Sequence, residues 1–137
     1  PKQLAEDFNM NEVKKMFEVN VFGLMNGSRV ALREMKKDGG GTIINIISDS
    51  ALVGRSMSST YSSSKWAVSG FTKAIREENK NILIIGIYPG PIQTDIFGKN
   101  KPDGFDNFMT AEYVADTIIE NFKKDKPEEE LIIQKNG

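Results

Sequence analysis

The sequence predicts an α/β fold built on a doubly wound parallel sheet. Short apolar runs rich in β-branched residues alternate along the chain with segments whose apolar residues recur at helical spacing. The runs are apolar throughout, as expected for strands that helices cover on both faces. Strands that alternate with helices are joined by right-handed crossovers, which place the strands side by side and parallel. The 137 residues contain no repeat or linker and suit one domain.

The first half of the chain predicts a helix, a strand and a second helix. A helix start is indicated at Asn11, where Glu follows Asn, and helical spacing then continues to residue 37, before a run of three glycines. Residues 42–47 are an apolar, β-branched run and are interpreted as a buried strand. The Ser-rich stretch 48–60 is polar, and 61–79 has helical spacing again.

The second half repeats this alternation. Residues 82–88 form a second apolar strand, which Pro89-Gly90 ends. Residues 91–109 carry turn-forming glycine and proline and are predicted to be a loop. A third helix is expected over 110–124, with its threonine as the cap, and a third strand over 131–133.

Composition excludes several kinds of functional site. The sequence has no Cys and no His, which removes the Ser-His-Asp triad, thiolate nucleophiles and zinc sites built on these ligands, so we expect no metal. Lys and Arg number 18 against 19 Asp and Glu, and this balance argues against a nucleic-acid partner. No apolar run reaches membrane-spanning length. We therefore expect a cytoplasmic protein without a membrane partner.

Polar side chains with useful chemistry follow the first predicted strand. Tyr61 and Lys65 are four residues apart and so share one face of a helix. An ammonium group near a phenol favours the phenolate, as does the positive end of a helix, and such a phenol can exchange protons near neutral pH. Ser48, at the tip of the strand, is placed to hydrogen-bond the same reacting oxygen. Taken alone, a Tyr-x-x-x-Lys pair is more often a chance pair on a solvated helix face.

Asn20 is an unexpected residue on the apolar stripe of the first helix. It falls between Phe17 and Leu24. Asn is a modest helix former and is costly to bury without a hydrogen-bond partner. A cap or a bend in the helix is one explanation, and a functional role is the other.

Four motifs together resemble the short-chain dehydrogenase/reductase family of the classical type. They are Asn-Val-Phe-Gly at 20–23, Ile-Asn-Ile-Ile-Ser at 44–48, Tyr-Ser-Ser-Ser-Lys at 61–65 and Tyr-Pro-Gly-Pro-Ile-Gln-Thr at 88–94. Ser48 and Tyr61 are thirteen residues apart, as in the family, and Thr94 lies four residues after Gly90. Each motif is weak alone, but their order and spacing over residues 11–134 make a strong signal. The resemblance implies a Rossmann-type fold.

The resemblance also implies catalytic roles for four residues. Tyr61 would be the general acid/base on the substrate oxygen, and Ser48 would polarise the carbonyl. Lys65 would favour the Tyr61 phenolate and hold the nicotinamide ribose. Asn20 would complete a tetrad by holding a water that links Lys65 to solvent. The implied activity is hydride transfer between NAD or NADP and a small-molecule carbonyl or secondary alcohol.

The resemblance also implies which residues contact the cofactor, on the second predicted helix and at the end of the second predicted strand. Beside Tyr61 and Lys65 they comprise Thr94, the backbone of Ile92, and the wall formed by Pro89 and Gly90.

The family's first half has no counterpart in residues 1–137. No strand followed by a Gly-rich turn and a helix is found, so the pyrophosphate site is missing from this chain. The Gly23-x-x-x-Gly27 pattern lies inside a predicted helix and indicates close helix packing instead. We therefore expect 1–137 to be a single partial domain, the carboxyl-terminal, catalytic part of such an enzyme and inactive by itself. The alternative is that the sequence omits residues present in the natural molecule.

Two rival functions remain open at this point. Ser62-x-x-Lys65 matches the nucleophile motif of serine penicillin-binding enzymes, but the companion S-D-N and K-T-G motifs are absent from the sequence. The other rival is a truncated, non-catalytic oligomerisation or interaction fragment of the same family.

Two further expectations concern the surface. The loop Phe97–Phe108 follows the cofactor-contact segment and is predicted to be a substrate lid, although its aromatic residues would equally suit a loop fixed to the core. Trp66 lies on a mostly polar side of the second helix and indicates a homodimer or homotetramer interface; packing against the first helix within one subunit is the alternative.

Overall fold

The computed structural model describes residues 2–135 and confirms the α/β fold. Three strands alternate with four α-helices, and the first two helices are joined by a π-helical segment, Glu18–Gly23. The strands are β1 (Gly41–Ile46), β2 (Ile82–Pro89) and β3 (Glu130–Ile133), and the helices are α1 (Met10–Phe17), α2 (Leu24–Asp38), α3 (Ser59–Glu78) and α4 (Ala111–Phe122). Among residues 2–135, no helix combines the length and the apolarity that a membrane crossing requires.

The three strands form one parallel sheet in the order β1-β2-β3. Ile43 of β1 pairs with Ile84 of β2, and Ile87 of β2 pairs with Leu131 of β3. Because all strands run in one direction, their carboxyl ends meet at one edge. In parallel sheets this edge is where ligands bind.

The helices cover the two faces of the sheet unequally. Helices α2 and α3 pack on the face that presents Ile43 and Ile84, whereas α4 packs on the opposite face. The second core contains Ile85 and Ile87 of β2 together with Leu131 of β3. Both faces of β2 are therefore buried, as the sequence predicted.

The expectation that helices cover both faces is wrong for the outer strands of the described chain. Ile44 and Ile46 of β1 lie on the face that carries α4, but α4 reaches only β2 and β3, and these side chains are 36% and 49% exposed. Ile132 of β3 lies on the other face and is 54% exposed. The helices of residues 2–135 thus leave part of the apolar surface of β1 exposed.

The long first helix differs from the sequence prediction in two ways. Its cap is Asn9, two residues before the predicted start, and the Asn9 side chain accepts from the backbone N–H of Asn11 at 2.9 Å. The π-helical segment then interrupts the α-helix around Asn20. A π-helix widens one turn, which changes the direction of the following side chains. Among the described residues, a Cβ on Gly27 would meet nothing within 4 Å, so the predicted close packing at Gly27 is not found.

Candidate active site

The carboxyl edge of the sheet gathers the segments that carry the candidate residues. Ser48 follows β1, Pro89 ends β2, and α3 begins at the same edge because it runs back from the loop after β1. The short 3₁₀ turn Asp49–Ala51 and the π-helical segment both pack against α3. The edge therefore brings three separate parts of the chain next to α3.

Tyr61 and Lys65 lie one turn apart near the start of α3. The Lys65 ammonium is 5.6 Å from the centroid of the Tyr61 ring. Burial lowers the pKa of Lys65 from its ordinary value of 10.5, because a desolvated ammonium is less stable. Within residues 2–135 the Lys65 ammonium makes no hydrogen bond or ion pair. The group is thus half-buried and has donors for an additional partner.

Ser48 is held by the turn that follows it. Its Oγ accepts a hydrogen bond from the backbone N–H of Ser50 at 3.1 Å, which caps the 3₁₀ turn. A hydroxyl has one proton and two acceptor lone pairs. The Ser48 hydroxyl in turn donates to Asp49 Oδ1 at 3.5 Å, the long limit of a hydrogen bond, so a better-placed acceptor at the edge of the sheet can take over its proton.

Asn20 contacts α3 through a residue that the sequence prediction did not select. The Asn20 side-chain amide donates to Ser64 Oγ at 3.4 Å, and Ser64 Oγ donates to the backbone carbonyl of Tyr61 at 2.7 Å. Ser64 is fully buried. The sequence contains a signal for Ser64: it lies on the apolar side of α3, where a buried polar side chain requires a hydrogen-bond partner within the protein. Asn20 is thereby linked to Tyr61, and no direct bond joins it to Lys65 within residues 2–135.

The end of β2 is fixed to α3 by a buried tyrosine. Tyr88 is fully buried, and its hydroxyl lies 2.9 Å from Ser69 Oγ of α3. The ring lies over Gly86, where a Cβ would come within 3.2 Å of Tyr88 Cε2, so this position favours glycine. Burial, followed by the nearby carboxylate of Glu130, raises the pKa of Tyr88 to about 12. Tyr88 is therefore neutral at physiological pH and acts in packing.

The segment after β2 is arranged by a short parallel pairing. Ile92 pairs with Met109: the Met109 N–H donates to Pro91 O at 3.1 Å, and the Gln93 N–H donates to Met109 O at 2.8 Å. This pairing uses the backbone of Pro91 and Gln93 and not that of Ile92. Gly90 is buried, and its backbone N–H donates to Ile133 O at 2.9 Å. Thr94 is exposed, and no hydrogen bond within residues 2–135 joins it to Tyr61 or Lys65.

The loop predicted to be a lid has a small core of its own. The rings of Phe97, Phe105 and Phe108 lie 5.7–6.0 Å apart, centroid to centroid. The Gln93 side-chain amide donates to the carbonyls of Phe105 and Asp106 and closes the base of the loop. The aromatic side chains thus pack mainly on one another, while Ile96 is 82% exposed.

The rival nucleophile Ser62 is in a poor position for acylation. Its Oγ is buried and has no hydrogen-bond partner within residues 2–135. A nucleophilic hydroxyl requires access to substrate and a base within hydrogen-bond distance.

A parallel sheet covered by helices, with Ser, Tyr and Lys near its carboxyl edge, is the architecture of an α/β protein of the kind that binds ligands at that edge. The family model of the short chain dehydrogenase matches residues 1–104. The chain belongs to the short chain dehydrogenase family.

Individual relatives and solved structures agree with this assignment. The chain is 34% identical over 137 residues to the uncharacterized oxidoreductase YusZ of Bacillus subtilis strain 168, covering 96% of this chain and 45% of YusZ. It resembles the fold of an alcohol dehydrogenase of the archaeon Thermococcus sibiricus complexed with 5-hydroxy-NADP, with a TM-score of 0.86, 22% identity, and 98% and 60% of the two chains covered.

A short-chain dehydrogenase of Burkholderia cenocepacia J2315 in complex with NADP is similar as well, with a TM-score of 0.84, 25% identity, and 97% and 56% coverage. The chain spans less than half the length of the curated relatives it matches.

Proposed function

We propose that this chain supplies the catalytic part of an NAD(P)-dependent oxidoreductase that interconverts a carbonyl compound and a secondary alcohol. The observation that carries the proposal is the Tyr61–Lys65 pair: a half-buried ammonium with unused donors lies beside a phenol at the carboxyl edge of a parallel sheet. General acid/base chemistry on an oxygen needs such a phenol.

The chain's own residues divide the proton chemistry among them. In the reducing direction Tyr61 donates its proton to the carbonyl oxygen, and Ser48 donates a hydrogen bond to the same oxygen. Lys65 stabilises the phenolate that Tyr61 becomes. Asn20 supports the pair through Ser64 and the Tyr61 carbonyl. The nicotinamide supplies the hydride for the carbonyl carbon when it is bound.

Several residues fit a nicotinamide cofactor. The Lys65 ammonium has donors available for two ribose hydroxyls. Because it is desolvated and has no hydrogen-bond partner within residues 2–135, such a partner would stabilise it. The backbone of Ile92 is left unused by the pairing with Met109 and suits a carboxamide. Thr94, Tyr61 and the wall of Pro89 and Gly90 complete the proposed contacts. The NADP complex of the Burkholderia relative supports NAD or NADP.

The proposal also covers the extent of the domain, the assembly and location of the protein, and its substrate. Residues 1–137 are a single partial domain, and the pyrophosphate of the cofactor is bound outside them. The protein is a cytoplasmic homodimer or homotetramer. Its substrate is a small carbonyl or alcohol, next to a loop whose exposed Ile96 favours an apolar contact.

Substitution of the pair in the full-length natural protein tests this function. Tyr61→Phe removes the proton donor and keeps the ring, so turnover should fall by about a hundredfold or more while the cofactor dissociation constant stays nearly unchanged. Lys65→Ala should weaken both turnover and cofactor binding, because Lys65 serves the phenol and the ribose.

Tyr113→Phe is the matched control, since Tyr113 lies on α4 and is 39% exposed. Turnover is followed by NAD(P)H absorbance with a panel of ketones and secondary alcohols. Near-normal turnover of Tyr61→Phe would contradict the mechanism, and an inactive unsubstituted protein would favour the non-catalytic alternative.

A further inference from the structure

Arg55 binds the turn that follows Ser48. Its Nη2 donates to Asp49 Oδ2 at 2.7 Å, and its Nη1 donates to Asp49 Oδ1 at 3.1 Å and to Ser50 Oγ at 3.0 Å. The Asp49 side chain is 12% exposed and that of Arg55 43% exposed. A planar guanidinium facing both oxygens of a carboxylate is the strongest geometry for such a pair.

The carboxylate of Asp49 lies close to the hydroxyl of Ser48. Ser48 Oγ donates to Asp49 Oδ1 at 3.5 Å, at the long limit of a hydrogen bond. Arg55 Nη1 donates to this same oxygen at 3.1 Å. The oxygen nearest to the Ser48 hydroxyl is therefore already engaged by a cation.

Whether Asp49 is paired with a cation matters for Ser48, because a carboxylate attracts a hydroxyl proton more strongly than a neutral carbonyl does. A buried carboxylate without a cation takes hydrogen bonds from any donor in reach, since an unpaired buried charge is costly. Without Arg55, the long hydrogen bond from Ser48 to Asp49 would therefore shorten and strengthen. The Ser48 proton would then be held by Asp49 and withdrawn from a substrate oxygen at the edge of the sheet.

We propose that Arg55 is a positioning residue: by engaging Asp49 Oδ1 it keeps the hydrogen bond from Ser48 to Asp49 long and weak, so that the Ser48 proton can pass to the substrate carbonyl. The inference rests on the role of Ser48 under the proposed function. Arg55 acts through Asp49 and touches neither the substrate nor the cofactor. The Asp49–Arg55 pair thus weakens the competition of the adjacent carboxylate for the serine proton.

A double-substitution experiment in the full-length protein separates this role from simple support of the turn. Arg55→Met leaves the Asp49 charge unpaired, and kcat should fall about tenfold, part of the loss typical of a missing donor. Asp49→Asn combined with Arg55→Met removes both charges, and kcat should recover to within about threefold of the unsubstituted enzyme. If Arg55 only supported the turn, the double variant would be no more active than Arg55→Met.

A second cycle tests whether the effect passes through Ser48. In a Ser48→Ala background, Arg55→Met should lower kcat no further, because no hydroxyl remains to be redirected. An equal loss in both backgrounds would overturn the inference and leave the proposed function intact. Normal turnover of Ser48→Ala itself would instead contradict the proposed role of Ser48.

Two variants complete the experiment. Lys124→Met removes an exposed ion pair with Glu128, of 2.8 Å, at the opposite end of the sheet, and its kcat should match that of the unsubstituted enzyme. Arg55→Lys keeps the charge and loses the fork; its kcat should lie between the unsubstituted enzyme and Arg55→Met. If circular dichroism shows Arg55→Met to be unfolded, Arg55→Lys takes its place, alone and combined with Asp49→Asn. The inference would then be overturned if this double variant had no higher kcat than Arg55→Lys alone.

Discussion

The Asn20 side-chain amide donates to Ser64 Oγ at 3.4 Å and so joins the π-helical segment to the first turns of α3. Ser64 Oγ passes this link to the backbone carbonyl of Tyr61 at 2.7 Å. The residue preceding Lys65 in the Tyr-x-x-x-Lys motif is therefore a structural connection between two candidate catalytic residues.

Replacing Ser64 should cost more stability than replacing its neighbour. Ser64→Ala leaves the partly buried Asn20 amide without this acceptor and should lower the free energy of unfolding by about 1–2 kcal/mol. Ser63→Ala is the matched control: Ser63 Oγ also donates to a helix carbonyl, that of Ser59 at 2.7 Å, but the residue is exposed. Its effect should stay within about 0.5 kcal/mol. Urea denaturation measures both, and equal losses would mean that the Asn20–Ser64 contact contributes nothing.

Tyr88 should make the fold sensitive to alkaline pH. Its pKa is raised from 10.0 to about 12 in the folded chain, chiefly by burial. The folded state therefore retains a proton that the unfolded state has lost, so this contribution to stability is complete below pH 10 and is lost as pH rises towards 12. Melting temperatures recorded between pH 9 and 11 should fall more steeply for the unsubstituted protein than for Tyr88→Phe. Tyr113→Phe, at an exposed position, should keep the original slope; a Tyr88→Phe slope equal to it would contradict the assignment.

Residues 1–137 alone should bind NAD(H) or NADP(H) weakly or not at all. Backbone amides of a Gly-rich turn at a helix start hold a pyrophosphate, and the sequence contains no G-x-G-x-x-G pattern. We expect dissociation constants weaker than about 1 mM by isothermal titration calorimetry. The full-length natural protein is the positive control. A micromolar constant for the isolated residues would reveal a phosphate site among them.

Trp66 should belong to an interface between subunits. It is 55% exposed, which argues against burial under the first helix of its own chain. One turn further along α3, a Cβ on Gly70 would meet nothing within 4 Å, so a partner helix has room to approach. Trp66→Glu should shift the full-length protein towards monomer without unfolding it. Light scattering with circular dichroism measures this, with Val53→Glu, the same charge change at a 48% exposed position outside α3, as the control; an unchanged oligomer with native dichroism would exclude Trp66 from the interface.

The sequence was sufficient to predict the order of elements because each depends on local patterns. The strand predicted over 82–88 is observed as Ile82–Pro89, and the helix predicted over 61–79 is observed as Ser59–Glu78. The threonine predicted to cap the last helix does so, since Thr110 Oγ1 accepts from the Tyr113 N–H at 3.1 Å. Motif order likewise identified the family, whereas the functional roles of its residues stay predictions.

The tertiary structure alone decided which residues meet across the chain. Periodicity gives the face of a helix on which Ser64 lies, but the Asn20–Ser64 contact spans 44 residues and depends on how the π-helical segment packs against α3. The engagement of Asp49 by Arg55 and the open face of β1 at Ile46 depend in the same way on three-dimensional packing. A sequence pattern encodes local dihedral preference and burial on one face; it does not encode the distance between side chains on different elements, which the packed fold fixes.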